Sequence, residues 1–351
     1  MAARTSNASY CCACFYTDNI FIEEHKLHVR FTDVQQFTRD YHKALEDRGC
    51  RTPEMFERVL EKVKTEVERR LKLAEEALQR KLDISLHYKP LHPELYILQE
   101  SFLAAEFLEA VRYCQSSHAD LDGLLNLLES ISDKRIYRLP IFTAQFCKDF
   151  VEELANFEGS EMEKGRPNTM NNYGVLLNEL GLDDSFITPL REQYLRPLVS
   201  LLFPDWGGSC LDSHKAFVVQ YSLDKDMDLS CHYDNSEVTV NVSLGKEFTD
   251  GNLYFSDMRE VPANERRYTE VEHMPGQGIL HRGQQMHGAL PITSGERWNL
   301  IIWMRASSVR NKLCPMCDKQ PRLIETAAQG DGFTMPEKQD RIETVEICAL
   351  L

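Results

Sequence analysis

Between residues 215 and 304 the chain breaks into short apolar or alternating runs, each closed by a turn signal. That texture restricts the segment to an antiparallel sandwich or barrel. The runs cover residues 216–221, 238–244, 251–255, 276–280 and 298–304. In the second, Val238, Val240, Val242 and Leu244 share one face, as the two-residue period of a strand requires. A jelly roll is one double-sheet solution of this kind, and it can hold a site at its open end.

Upstream the period changes to that of helices. Thr52-Pro53-Glu54 supplies an N-cap, a first-turn proline and an early acid, and Phe56, Val59, Val63, Val67, Leu71, Ala74 and Leu78 follow at helical spacing. Further helical runs cover 93–114 and 121–128. A short strand is expected at 137–142, Thr143 then caps a helix reaching about Phe157, and another helix covers 184–202. The polar stretch 158–172 reads as an exposed loop, of the kind that borders a cleft or simply connects. The expected class is α+β, with a helical N-terminal region over 1–135 and a jelly-roll domain with flanking helices over 136–308, its core at 214–306. Beyond them, 309–351 reads as a mobile tail.

The 40 basic residues against 55 acidic ones give a net charge of −15, which repels phosphate backbones and argues against nucleic acid as a ligand. No apolar run is long enough to span a membrane and no secretory signal opens the chain, so the cytoplasm or nucleus is expected. The eleven cysteines then read as reduced thiols. Cys314-Pro315-Met316-Cys317 is half of a zinc knuckle, and Cys11, Cys12 and Cys14 could complete it if the two ends of the chain met. No second CxxC stands at knuckle spacing, so unliganded thiols are expected. Cys348-Ala349-Leu350-Leu351 fits a prenylation pattern at Cys348, but the segment before it is acidic where a second, basic anchor would be needed.

His232-Tyr233-Asp234 places an imidazole and a carboxylate two residues apart, on the same face if the segment is a strand. Two ligands do not make a site. His287 can supply the third, completing the two-histidine, one-carboxylate face by which non-haem iron(II) oxygenases leave positions open for co-substrate and oxygen. His281 is its rival, although a buried structural histidine beside Leu280 is the simpler reading of that residue. Arg297, ten residues after His287, opens an apolar run; its guanidinium suits the far carboxylate of a small dicarboxylate, or an ordinary structural ion pair.

The ordered set His232-Tyr233-Asp234, residues 238–244, Asp250-Gly251-Asn252-Leu253-Tyr254-Phe255, His287 and Leu290-Pro291-Ile292-Thr293-Ser294-Gly295-Glu296-Arg297 resembles the 2-oxoglutarate and iron(II)-dependent dioxygenases of the prolyl and lysyl hydroxylase branch. The resemblance reaches back to about Ile136 and implies a double-stranded β-helix domain. It implies that His232, Asp234 and His287 hold Fe(II) and that Arg297 anchors 2-oxoglutarate, with Tyr221 and Asn241 beside the site. The reaction implied is hydroxylation of a protein or peptide Lys or Pro by O2, with release of succinate and CO2 and with L-ascorbate restoring oxidised iron. The N-terminal third resembles no domain of the collagen-modifying members, so collagen lysine is not assumed. Two other readings compete: an oxygenase-fold scaffold without turnover, and a cupin-like isomerase or dioxygenase in which Arg297 is structural.

Overall fold

The computed structural model describes residues 9–334. It opens with short elements: β1 (Ser9–Cys12), a single helical turn α1 (Cys14–Thr17), β2 (Ile20–Ile22) and β3 (Leu27–Val29). Two longer helices follow, α2 (Val34–Asp47) and α3 (Pro53–His87), opened by side chains that satisfy otherwise orphaned backbone donors. Asp33 accepts from the Gln36 N–H and Thr52 from the Met55 N–H. The first third is therefore not purely helical. Ile20, Ile22 and Val29 alternate inward from a small hairpin and form one core with Phe37, Leu45, Val59 and Val63. The run expected over 93–114 divides into two 3-10 turns and α4 (Ala105–Cys114), and α5 (Leu121–Leu125) is shorter than its leucines suggested.

Helix α3 departs from its apolar stripe. Val59, Leu60 and Val63 are buried, but Leu71 and Leu78 are exposed, and the distal half of the buried face is made by Arg70, Arg80 and Ile84. Arg70 donates to the carbonyls of Phe15, Asp18 and Asn19, while Arg80 pairs with buried Glu179 at 2.8 Å. Guanidiniums with long aliphatic stems can face inward once each donor finds an acceptor, which an apolar count misses.

Next come β4 (Glu129–Ser132), β5 (Ile136–Pro140), α6 (Ala144–Gly159), β6 (Gly174–Leu176), β7 (Ser213–Ser222), β8 (Leu229–His232), β9 (Val238–Gly245) and β10 (Phe248–Asp250). After them lie β11 (Leu253–Met258), β12 (Thr269–Val271), β13 (Gln277–Arg282), β14 (Gln285–Ala289), β15 (Ile292–Arg305) and β16 (Leu323–Thr326). The larger sheet runs β4-β5-β13-β9-β15-β7-β6, with β10 also on β15, and the smaller runs β12-β11-β14-β8. From β7 to β15 the chain passes back and forth between the two sheets, which is jelly-roll order. Phe217, Val219 and Ile279 of the larger sheet form one core with Leu253, Phe255 and Ala289 of the smaller. Val238, Val240, Val242 and Leu244 join Phe146, Phe150 and Leu154 of α6 in another core. Thr143 caps α6, as read from the sequence.

Three expectations are corrected. Because β4 pairs with β5, the sheet begins at Glu129, and a boundary at 136 would cut a hairpin. Residues 183–195 form two π-helical segments and only Arg196–Leu202 is α-helical; Pro189 and Pro197 lack the N–H that regular i to i−4 bonding needs. Residues 309–334, expected to be mobile, are held by β16 on β1, by buried Cys314 and Phe333, and by Arg310 on buried Glu237 at 3.1 Å. Cys348 lies outside the described residues. Among those described, no helix is long and apolar enough to cross a membrane.

Candidate active site

Strand β8 ends at His232, and antiparallel β14 sets His287 directly opposite it, the two rings 4.3 Å apart. Asp234 lies beyond the end of β8, so it reaches this point through the following turn rather than by the strand alternation expected. The turn is held by the Asp234 N–H donating to the Gly283 carbonyl at 2.8 Å and by the Gln284 amide donating to the Asp234 carbonyl at 2.9 Å. The Asp234 carboxylate lies 3.6 Å from His232 Nε2 and 3.6 Å from His287 Nε2. One ligand atom from each of the three residues falls within 4.8 Å of the others.

Second contacts prepare these side chains. Nδ1 of His232 is 2.8 Å from the Ser230 carbonyl and Nδ1 of His287 is 2.8 Å from the Gln285 carbonyl. With each Nδ1–H donating to its carbonyl, Nε2 keeps its lone pair for the shared centre. Burial pushes His287 down to about 3. Burial opposes ionisation of Asp234, yet its contacts with His287 and His232 hold the carboxyl below the usual carboxylate range. A neutral imidazole beside an ionised carboxylate is the protonation state that divalent cations require. Thr239 Oγ1 donates to Asp234 Oδ2 at 2.6 Å. Thr239→Val, which keeps the shape and removes the donor, is expected to weaken divalent-metal affinity by about 10- to 100-fold. Titration of the purified protein with Mn2+ or Fe2+ checks this, and an unchanged affinity would show that the hydroxyl has no orienting role.

His281 stays at the margin. It is fully buried on β13, its Nδ1 is 2.9 Å from the Arg282 carbonyl and its Nε2 is 4.0 Å from Asp234 Oδ2.

Arg297 stands on β15 opposite Tyr221 of β7, and its guanidinium lies 4.3 Å from the centroid of that tyrosine ring. It is fully buried and donates through Nη1 to the Gly251 carbonyl, while Nε and Nη2 have no partner among the described residues. Among the described residues no acidic side chain completes the structural ion pair that competed for this residue, so two buried donor nitrogens stand without a partner there. Tyr221 and Asn241 both line a cavity of about 210 Å³ that also reaches His232, Asp234 and His287. Tyr221 accepts at 3.2 Å from Asn171, and Asn241 accepts at 2.9 Å from Asn299.

Several cavity residues escaped the sequence reading. Asn171 sits in the polar loop, which does border the cleft; the Asn172 N–H binds Asp226 at 2.7 Å and ties that loop to the one following β7. Lys215 shares the cavity face with Phe217, Val219 and Tyr221, and burial pushes its ammonium down to about 8. The available signal was period two: Thr239 and Asn299 are polar positions inside otherwise apolar strands. His28, Arg69 and Arg70 also reach the cavity from the N-terminal third, and nothing local in their sequence marks them.

Comparison with known proteins gives the family. An OGFOD2-like domain family matches residues 84–208, ahead of the clustered histidines. The 2-oxoglutarate and iron-dependent oxygenase domain-containing protein 2 of Xenopus tropicalis is 69% identical over 342 residues, covering 97% of this chain and 98% of that protein. The chain belongs to this family of 2-oxoglutarate and iron-dependent oxygenase domain-containing proteins. Outside it, the procollagen lysyl hydroxylase and glycosyltransferase of Acanthamoeba polyphaga mimivirus is 30% identical over 182 residues, 48% of this chain and 19% of that one. A crystal structure of a Pseudomonas putida prolyl-4-hydroxylase aligns over 54% of this chain and 97% of its own, at 17% identity and a TM-score of 0.36. The 2-oxoglutarate and iron-dependent oxygenase family is thus the class to which the resemblance in residues 232–297 pointed.

Proposed function

We propose that this chain is an active Fe(II)- and 2-oxoglutarate-dependent dioxygenase that hydroxylates a lysine or proline side chain of a protein or peptide. The observation that carries the reading is the convergence of His232 Nε2, His287 Nε2 and the Asp234 carboxylate on one cavity, together with Arg297, buried and holding two unused donors. The donor set fits the groups: two imidazoles and one carboxylate suit Fe(II), and a forked guanidinium suits the distal carboxylate of 2-oxoglutarate. When bound, iron, 2-oxoglutarate and O2 supply the oxidation that turns C–H into C–OH while the oxoacid becomes succinate and CO2.

The protein's own share is placement. His232, Asp234 and His287 would hold the metal. Arg297, set against Tyr221, fixes the far end of the oxoacid. Tyr221, Asn241 and Asn171 orient it within the buried wall, and the two tied loops exclude water and select the substrate. L-Ascorbate is proposed as the reductant, and the cytoplasm or nucleus as the compartment. Lysine is supported by the similarity to the mimivirus procollagen lysyl hydroxylase and glycosyltransferase. Peptide mass spectrometry of cells expressing the native chain or Asp234→Ala tests it: +16 Da sites on Lys or Pro that vanish with the variant are expected. Identical oxidation in both would remove the proposed activity.

A further inference from the structure

The beginning and end of the described chain meet beside the active-site cavity. Strand β1 pairs with β16, Cys12 opposite Leu323, and the Ala13 N–H continues the contact by donating to the Arg322 carbonyl at 2.8 Å. This lays Cys12 and Cys14 against Cys314-Pro315-Met316-Cys317, about three hundred residues away in sequence. All four sulfurs fall within 4.8 Å of one another. Cys14 and Cys314 Sγ are 3.7 Å apart. A disulfide would require about 2.0 Å, whereas two thiolates on one tetrahedral zinc, each about 2.3 Å from the metal, stand about 3.8 Å apart.

The surrounding backbone has the form of a knuckle. The Cys314 N–H donates to the Lys319 carbonyl at 2.9 Å and the Asp318 N–H donates back to the Cys314 carbonyl at 3.0 Å. Asp318 turns the chain with a positive φ of 54°. Cys12 and Cys314 are 3% and 1% exposed, so water is kept from the inner half of the cluster. Cys11, the other candidate read from the sequence, belongs elsewhere, with its Sγ 3.5 Å from the Tyr16 hydroxyl.

We propose that Cys12, Cys14, Cys314 and Cys317 bind one Zn2+ as a closed tetrathiolate site that fastens the two ends of the fold to the wall of the active-site cavity. Four protein ligands leave no open position, so the site is structural. The first pair is spaced C-x-C, tighter than the usual two to four residues, and the second is a regular CxxC. Its link to the cavity is direct: Cys14, Cys314 and Met316 line that cavity. The Met316 carbonyl accepts from Asn19 at 3.1 Å, and Asn19 in turn accepts from Tyr233, between His232 and Asp234, at 3.4 Å. The zinc site shares no ligand with the proposed iron site, so either can fail alone.

The test is elemental analysis of the full-length chain purified without added metal, then treated with a chelator mild enough to strip iron. One zinc per chain is expected to survive, to persist in His287→Ala, and to fall to near zero in Cys314→Ser and in Cys317→Ser. If those variants fold poorly, Co2+ substitution of the native chain decides instead, and the intense visible bands of tetrahedral Co2+ on four thiolates are expected. Absence of zinc with four extra thiols titrating in the native protein would overturn the proposal. So would zinc lost with His287 rather than with the cysteines, or iron in the thiolate site.

Discussion

His287→Ala is expected to bring bound iron from one per chain to near zero and 2-oxoglutarate turnover to background, while His281→Ala keeps its metal. The two residues compete because both are buried histidines whose Nε2 lies within 4.0 Å of the Asp234 carboxylate. They differ in what faces them. His287 stands opposite His232 across a strand pair, whereas His281 lies on β13 opposite Thr239 and ranks as a neighbour of the cluster. Removing one of three protein ligands from an open metal site removes the geometry as well as a third of the donors. Metal analysis of both variants, with succinate release measured in parallel, checks the assignment. The opposite pattern, iron lost with His281 and kept with His287, would falsify it.

Arg297→Ala is expected to weaken 2-oxoglutarate binding by roughly a hundredfold or more, because two hydrogen bonds between charged groups contribute about 1.5–3 kcal/mol each. Metal binding should survive, since Arg297 is none of the three clustered residues. Arg297→Lys should recover part of the affinity, because an ammonium keeps the charge and loses the fork. Fluorescence or calorimetric titration with 2-oxoglutarate on the Mn2+ form reads the effect directly, and succinate release without a protein substrate reads it again. An affinity unchanged in Arg297→Ala would assign the guanidinium to structure alone and favour the oxoacid-independent alternative. Its loss also frees the Gly251 carbonyl, which now accepts from it, so thermal unfolding of the same variant separates folding from binding.

Much of the site was legible because its chemistry is carried by rare residue types, although the strand alternation expected of His232 and Asp234 is not what joins them. His232 and Asp234 announce themselves two apart, and Arg297 is conspicuous as a cation at the head of an apolar run. The period-two runs marked the central strands, and Val238 to Leu244 marked the face turned to α6. The opposite face of the same strand was harder. Thr239 and Asn241 look like ordinary polar positions of a half-exposed strand, yet every residue of β9 is buried because a cavity, not solvent, lies on that side. The apolar stripe of α3 failed for the converse reason: Leu71 and Leu78 face outward while Arg70 and Arg80 are buried on acceptors supplied by other segments.

Local pattern alone determined the α+β class, the antiparallel strands and the identity of the residues able to hold a metal, because hydrophobic period and side-chain chemistry are written within a few residues. Which histidine faces His232, which wall receives Arg297, and that Cys12 and Cys14 meet Cys314 and Cys317 were decided by strand pairing between distant segments. Register is a property of two strands, set by the packing of faces that neither strand contains by itself.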